Sequence, residues 1–301
     1  MPAYSAPLDD MKFVLRHLAG LPRIQQLETF DAATDDVLEQ VLEEAAKFAS
    51  EVWAPLNESG DSTGCRVENN AVVVADGFAD AYGQFVESGW QSLEYSPDYG
   101  GMGLPGLIAS ATAEMFQSAN LALSLCPMLT GSAIYAVEAH ASDELKKMFL
   151  SRLVSGEWTG TMNLTEPQAG SDLAAIKTRA VPENGHYRLY GTKIFITWGD
   201  QPFSENILHM VLARLPDAPD GVRGISMFLV PKFLLNDDGS IGEHNDVYAT
   251  SVEHKLGIHA SPTCVMNFGD NDGAIGYLVG EKNKGLACMF TMMNHARIGV
   301  G

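Results

Sequence analysis

Two stretches of this chain put hydroxyl, amide and aromatic groups where a strand runs out into a turn. Met162-Asn-Leu-Thr-Glu-Pro-Gln-Ala-Gly-Ser-Asp172 and Lys193-Ile-Phe-Ile-Thr-Trp-Gly-Asp200 each open with alternating apolar and hydroxyl residues, the period of a half-buried strand, and each stops in a polar or Gly-rich turn. Such ends lift Ser, Thr and backbone amides to the rim of a sheet. A rim of that kind can hold a flat heterocycle: amides and hydroxyls bond its polar edge, while Phe195, Ile196 and Trp198 offer surface to its face. The same residues suit a plain hairpin whose turn needs Gly, Pro and Asp. Spacing alone leaves both readings open.

Composition narrows the chemistry. With 38 acids against 19 bases the formal charge is -19, and no Lys/Arg cluster is present to bind nucleic acid or an acidic membrane. Cys65, Cys126, Cys264 and Cys288 lie far apart, with no Cys-x-x-Cys pair, which indicates neither a disulfide framework nor a zinc site. None of the eight histidines has metal-ligand spacing. Buried reduced thiols suit a cytoplasmic protein. Asp9 and Asp10 precede any useful apolar run, and nowhere do about 18 apolar residues run uninterrupted, so neither a signal peptide nor a membrane span is expected.

The elements that must position these groups fall into two textures across 301 residues. Residues 1–157 read as an all-helical domain. Met11, Val14, Leu15 and Leu18 share one face of a short N-terminal helix; Thr34 caps a helix with Val37, Val41, Leu42, Ala45, Phe48 and Val52 inside, stopped by Pro55. Phe78, Tyr82, Phe85 and Val86 mark another, closed by Gly89 and Trp90. Leu107 to Leu125 and Gly131 to Ala139 are apolar nearly all round, as in the centre of a bundle. Ser142 caps a last helix with Leu145, Met148, Phe149, Leu153 and Val154 inside, ending at Gly156. Gly101, Gly103 and Gly106 spell G-x-G-x-x-G, but Tyr95-Ser-Pro-Asp-Tyr99 is no hydrophobic strand and no β-α-β unit comes after it. A flexible loop, with a substrate-facing role open, is the better reading.

Residues 158–283 turn to short β runs: Thr159 to Thr165, Lys177 to Val181, His186 to Thr197, Ile207 to Leu215, Gly224 to Val230 and Thr263 to Phe268. Turn clusters separate them, the spacing of a β sandwich or barrel. Residues 284–301 become helical again, as the start of a further helical domain. The fold class is therefore α+β and multidomain.

The ordered series Tyr99-Gly-Gly-Met-Gly-Leu104, Leu164-Thr-Glu-Pro-Gln-Ala-Gly-Ser-Asp172, Gly191-Thr-Lys-Ile-Phe-Ile-Thr197, Lys255-Leu-Gly-Ile-His-Ala-Ser-Pro-Thr263 and Leu278-Val-Gly-Glu-Lys-Asn-Lys-Gly-Leu286 resembles the acyl-CoA dehydrogenase flavoproteins over essentially the whole chain. Tyr4 to Met11, Gly224 to Lys232 and Met292 to Arg297 look most like a longer branch whose substrates include methylthio-substituted short acyl-CoA. The resemblance implies a helical N-terminal domain, a central β domain and a C-terminal helical bundle, with FAD between the last two in a homodimer or homotetramer. It implies oxidation of an acyl-CoA to the trans-2-enoyl-CoA, with electrons passed to an electron-transferring flavoprotein. Matched residue by residue, Met162, Leu164 and Thr165 bond the pyrimidine edge of the flavin, Thr197 lies near N5, and Gly170 and Ser171 meet the pyrophosphate and the CoA neck. Phe195 stands where the family usually has Trp against the ring, with Ile196 beside it and Trp198 as a second candidate. Asn294 falls where many members have an Asp touching CoA, Arg297 matches an arginine supporting the site, and His259 replaces a frequent Arg. Lys177 and Arg179 are nearby candidates for the CoA phosphates. The family's catalytic Glu is expected beyond residue 301, and Glu166 takes a structural place beside Pro167. A non-catalytic flavin- or acyl-CoA-binding module and an acyl-CoA oxidase of the same fold are the rival readings.

Overall fold

Residues 4–301 are described by the computed structural model, and up to Ser155 they are mainly helical. α1 (Leu8–His17) buries Met11 and Leu15, whereas Val14 and Leu18, expected on the same face, are exposed. α2 (Leu21–Ile24) comes next. α3 (Asp35–Phe48) starts at the expected cap, with the Thr34 hydroxyl accepting from the Val37 amide, and buries Leu38, Leu42, Ala45 and Ala46. Val37, expected inside, is exposed.

Pro55 does not stop this helix. The backbone widens into a π turn at Ala49–Trp53, where the Ala54 amide reaches back five residues to the Ala49 carbonyl (2.9 Å), and α4 (Pro55–Thr63) continues from it. The widened turn makes room for the proline ring, which sits at a helix start where its missing N–H is no loss. Beyond it β1 (Arg66–Glu68) and β2 (Ala71–Val73) form a hairpin, so this half is not wholly helical as expected. Its signal is the pair Asn69 and Asn70, both with positive φ (52° and 61°), the conformation of a type I′ turn.

α5 (Phe78–Glu87) forms where expected. α6 (Gly106–Ala119) and α7 (Leu121–His140) divide at Asn120, whose Oδ1 accepts from the Leu123 amide, rather than after Leu125; Pro127 is carried inside α7. α7 is long and apolar enough to cross a membrane, but it is mostly buried and packs on α6, on the strand β3 (Trp158–Asn163) and on two further helices, α8 (Asp143–Ser155) and α9 (Gly285–Val300). Ser142 caps α8 as expected, although Met148 is exposed rather than inside.

The β domain holds β3 (Trp158–Asn163), β4 (Arg179–Glu183), β5 (His186–Thr197), β6 (Asn206–Arg214), β7 (Ile225–Pro231), a small β8–β9 hairpin (Phe233–Leu235, Ile241–His244), β10 (Val247–Val252), β11 (Thr263–Phe268) and β12 (Ala274–Val279). Eight strands join in the order β10-β11-β5-β12-β7-β6-β3, and β4, paired with both β5 and β6, closes β4, β5, β12, β7 and β6 into a small barrel. All pairs are antiparallel except β3–β6 and the brief β4–β6 contact. β8, β9, β10 and β12 lie outside the expected runs. β12 contains Gly276, where a Cβ would press on Leu189 and Val230.

The helical half docks on β3. Gly160 lets the strand touch α7, since a Cβ there would run into Ala133, and its amide donates to Thr130 Oγ1 (3.1 Å). α9 seats its first residue, Gly285, directly on the β7 backbone at Ser226 and Met227. One side of the sheet packs against α7, α8 and α9 through Leu208, Met210, Leu212, Met227 and Leu229. The other encloses Val211, Ala213, Phe228, Val230 and Phe268.

Candidate functional site

The two stretches are not the two arms of one hairpin. β3 pairs with β6 and β5 with β4, β11 and β12, yet the ends of β3 and β5 meet: the Ile194 amide donates to the Thr165 carbonyl at 2.9 Å. β3 is last in the strand order, so one of its edges carries amides and carbonyls with no strand partner. After Thr165 the chain turns back, with Glu166 and Ala169 exchanging amide bonds of 2.9 Å around Pro167 and Gln168. Gly170 and Ser171 come next, exposed, and Asp172 caps the short helical turn Leu173–Ala175.

On β5, Lys193 faces Met266 and Ile196 faces Cys264, so three steps of β5 match two of β11. The extra residue is a β-bulge, and within it Phe195 has φ +59° and is 56% exposed. For an aromatic residue this is a sparsely populated conformation, held only where its surroundings impose it. The bulge also reverses the facing of the residues after it. Ile196 is buried in the barrel interior and offers no side chain to a ligand, contrary to expectation. Trp198 is excluded as a second stacking residue: it is buried among the N-terminal helices, beside Phe78 and Phe203, with its Nε1 donating to the Ala122 carbonyl at 2.9 Å. Thr197 stays half-buried at the strand end, opposite Thr263.

Met162 and Thr165 are half-buried and Leu164 is buried against the α7 side. Met162, Leu164, Thr165, Gly170, Ser171, Phe195 and Thr197 therefore fall on two adjoining chain ends. Asn294 and Arg297 are exposed on α9 and bond each other, Arg297 Nη1 to Asn294 Oδ1 at 3.3 Å. Lys177 and Arg179 are exposed, and the Arg179 guanidinium lies 4.8 Å from the Tyr190 ring centroid. His259 is fixed by Asp61, whose Oδ1 takes its amide (2.9 Å) and lies 3.0 Å from Nδ1. Met102 of the Gly-rich loop lines a different cavity of about 460 Å³, beside Phe48, Val52, Trp90 and Leu93.

Sequence reasoning missed the polar groups beneath the surface. Lys193 is fully buried, and its ammonium donates to the Leu164 carbonyl (2.9 Å) and to Glu166 Oε1 (2.8 Å). Burial pulls this lysine down to about 8 against the attraction of Glu166. Burial pushes the Glu166 carboxyl up, but Lys193 and the amide and hydroxyl donors outweigh it and hold the group below the ordinary carboxylate range. The available signal was a lysine inside an otherwise alternating strand. Deeper in the barrel His209 Nδ1 is 2.7 Å from Thr161 Oγ1, which also accepts from Asn163 Nδ2 (2.9 Å). Burial brings His209 down to about 3, so the ring is neutral.

Residues 35–157 match the family described as Acyl-CoA dehydrogenase, N-terminal domain, and residues 161–271 match Acyl-CoA dehydrogenase, middle domain. The chain belongs to the acyl-CoA dehydrogenase family. It is 49% identical over 299 residues to 3-methylmercaptopropionyl-CoA dehydrogenase of Ruegeria pomeroyi, covering 99% of this chain and 50% of that protein. It is 36% identical to a butyryl-CoA dehydrogenase of Syntrophomonas wolfei, with the same two coverages. The chain spans about half the length of the curated relatives it matches. Among solved structures, Caenorhabditis elegans ACDH-11 in complex with C11-CoA (21% identity, TM-score 0.77, 99% of this chain and 50% of that one) and butyryl-CoA dehydrogenase from Megasphaera elsdenii (24%, 0.70, 89% and 64%) share the fold. The acyl-CoA dehydrogenase middle-domain match opens at Thr161, one residue before the first stretch, and takes in the second.

Proposed function

We propose that the adjoining ends of β3 and β5 hold the isoalloxazine of FAD. The whole protein then catalyses α,β-dehydrogenation of a short acyl-CoA to the trans-2-enoyl-CoA, passing electrons to an electron-transferring flavoprotein. The observation that carries this reading is the junction itself: Ile194 bonded to Thr165 brings two strand ends rich in hydroxyls and amides together, with an exposed phenylalanine next to Ile194 on β5. The donor set fits the group. A flavin offers a polar pyrimidine edge, which the unpartnered edge of β3 and the hydroxyls of Thr165 and Thr197 can bond, and a flat apolar face that Phe195 can cover.

When bound, FAD supplies the redox step, taking up the hydride of the substrate's β-carbon. This chain's residues bind and orient. The exposed turn at Gly170 and Ser171 offers amides to the pyrophosphate and the CoA neck. Phe195 keeps water from one ring face; Asn294 and Arg297, exposed on α9 and bonded to each other, are candidates for contacts to CoA and for support of the site through the family resemblance alone. The 49% identity to a 3-methylmercaptopropionyl-CoA dehydrogenase favours a methylthio-substituted short chain among the candidate substrates.

Thr197→Val removes one hydroxyl and keeps the shape. In the whole protein it weakens FAD binding or slows flavin reduction by about ten-fold, the worth of one hydrogen bond in a desolvated site. Unchanged flavin affinity together with an unchanged reductive half-reaction removes Thr197 from the site.

A further inference from the structure

We infer that the buried Lys193–Glu166 pair is a positioning device that fastens Thr165 to the bulge carrying Phe195. The inference rests on reading these strand ends as the flavin site. The ammonium of Lys193 grips both neighbours of Thr165, the Leu164 carbonyl on one side and the Glu166 carboxylate on the other, while the next amide along β5, Ile194, takes the carbonyl of Thr165 itself. Three bonds from two consecutive residues thus lock Thr165 in place, and Phe195 and Thr197 lie two and four residues beyond Lys193 on the same strand.

Glu166 extends the grip. Its Oε1 also accepts from the Thr178 amide (3.1 Å) and hydroxyl (2.6 Å), and its Oε2 from the Lys177 amide (2.6 Å) and Gln168 Nε2 (2.5 Å). One carboxylate therefore holds both ends of the loop that carries Gly170 and Ser171. Both side chains are almost fully buried, 0% and 3% exposed. A buried ion pair gains little over a well-packed apolar pair, because desolvation offsets the attraction, so its use here is geometric: it fixes directions that hydrophobic packing would leave loose. The left-handed Phe195 is what that framework must restrain.

The test uses the whole protein with Lys193→Met, Glu166→Gln and the double variant. FAD affinity is read by quenching of flavin fluorescence, stability by thermal unfolding, and exchange of the Ile194 amide by hydrogen–deuterium exchange. Lys193→Met leaves a carboxylate buried without its cation and lowers Tm. The double variant removes that charge and regains Tm, yet still binds FAD about ten-fold or more weakly and still exchanges Ile194 faster, because the tie to the Leu164 carbonyl is gone. Glu166→Gln alone leaves the buried Lys193 cation without its anion and lowers Tm, but it keeps the tie to the Leu164 carbonyl and so weakens FAD binding less than the double variant does. Val230→Ala, a destabilising control in the barrel interior, lowers Tm without changing FAD affinity. A double variant that binds FAD like the wild type, or that protects Ile194 like the wild type, overturns the inference. Should the wild type itself fail to bind FAD, the flavin reading falls, and the exchange of Ile194 still decides whether the pair fastens these ends.

Discussion

Phe195 carries the clearest trade between folding and binding. Its φ of +59° costs about 1 to 3 kcal/mol for a residue with a side chain and almost nothing for glycine. Because the ring is exposed, its removal forfeits little packing. Phe195→Gly is therefore expected to leave Tm unchanged or raise it while weakening FAD binding, with thermal unfolding and flavin titration as the paired measurements. His209 works in the opposite sense. The folded protein refuses its proton down to about 3, whereas the unfolded chain takes one near 6.5. Between those values the unfolded state binds more protons, so stability falls as pH falls, by up to about 1.4 kcal/mol per pH unit from this group. Urea titrations across that window should show a shallower pH dependence in His209→Leu than in the wild type. Of these residues the sequence marked Thr165, Thr197 and Phe195 through strand alternation. It gave no sign that His209 is buried, because a histidine within an apolar strand fits either face.

At the level of elements, helix starts were the most legible feature. Thr34 and Ser142 cap as expected because the signal is local, a hydroxyl three residues before an amide it can reach. Not every boundary was: Pro55 was absorbed by a π turn, and Asn120, which caps α7 in the same way as Thr34 and Ser142, went unread because the apolar pattern runs on through α6 and α7. The strand–helix junction makes a prediction of its own. Gly160 on β3 lies against α7 so closely that any Cβ meets Ala133. Gly160→Val should cost about 1 to 3 kcal/mol by overpacking, seen as a lower urea midpoint with an unchanged m-value. If the midpoint does not move, the two layers are not packed as tightly as this contact requires. β10 and β12 escaped sequence reading although Val247, Tyr248, Thr250 and Val252 in the first and Ile275, Tyr277 and Val279 in the second are strand formers; only Gly276, where a Cβ would press on Leu189 and Val230, interrupts that signal.

For the whole molecule, an excess of 19 acids on a folded surface means self-repulsion that salt screens. Tm is expected to rise modestly as sodium chloride is raised from low concentration to a few tenths molar; a fall would show that attractive pairs such as Lys12 with Glu39 and Glu43 outweigh the general repulsion. The sequence by itself determined the two textures, helical and then β, because periods of 3.6 and 2 are written in local composition. It also marked the two polar strand ends, because hydroxyls, glycine and proline declare where a strand stops. Only the tertiary structure decided that these ends adjoin, since β3 and β5 reach each other through different partners rather than through a shared turn. The folded chain likewise decided which aromatic faces outward. Strict alternation would send Lys193, Phe195 and Thr197 to one side, but a single extra residue against β11 turns Lys193 and Ile196 inward and Phe195 out. A bulge is a mismatch between two strands, so no single strand's sequence contains it.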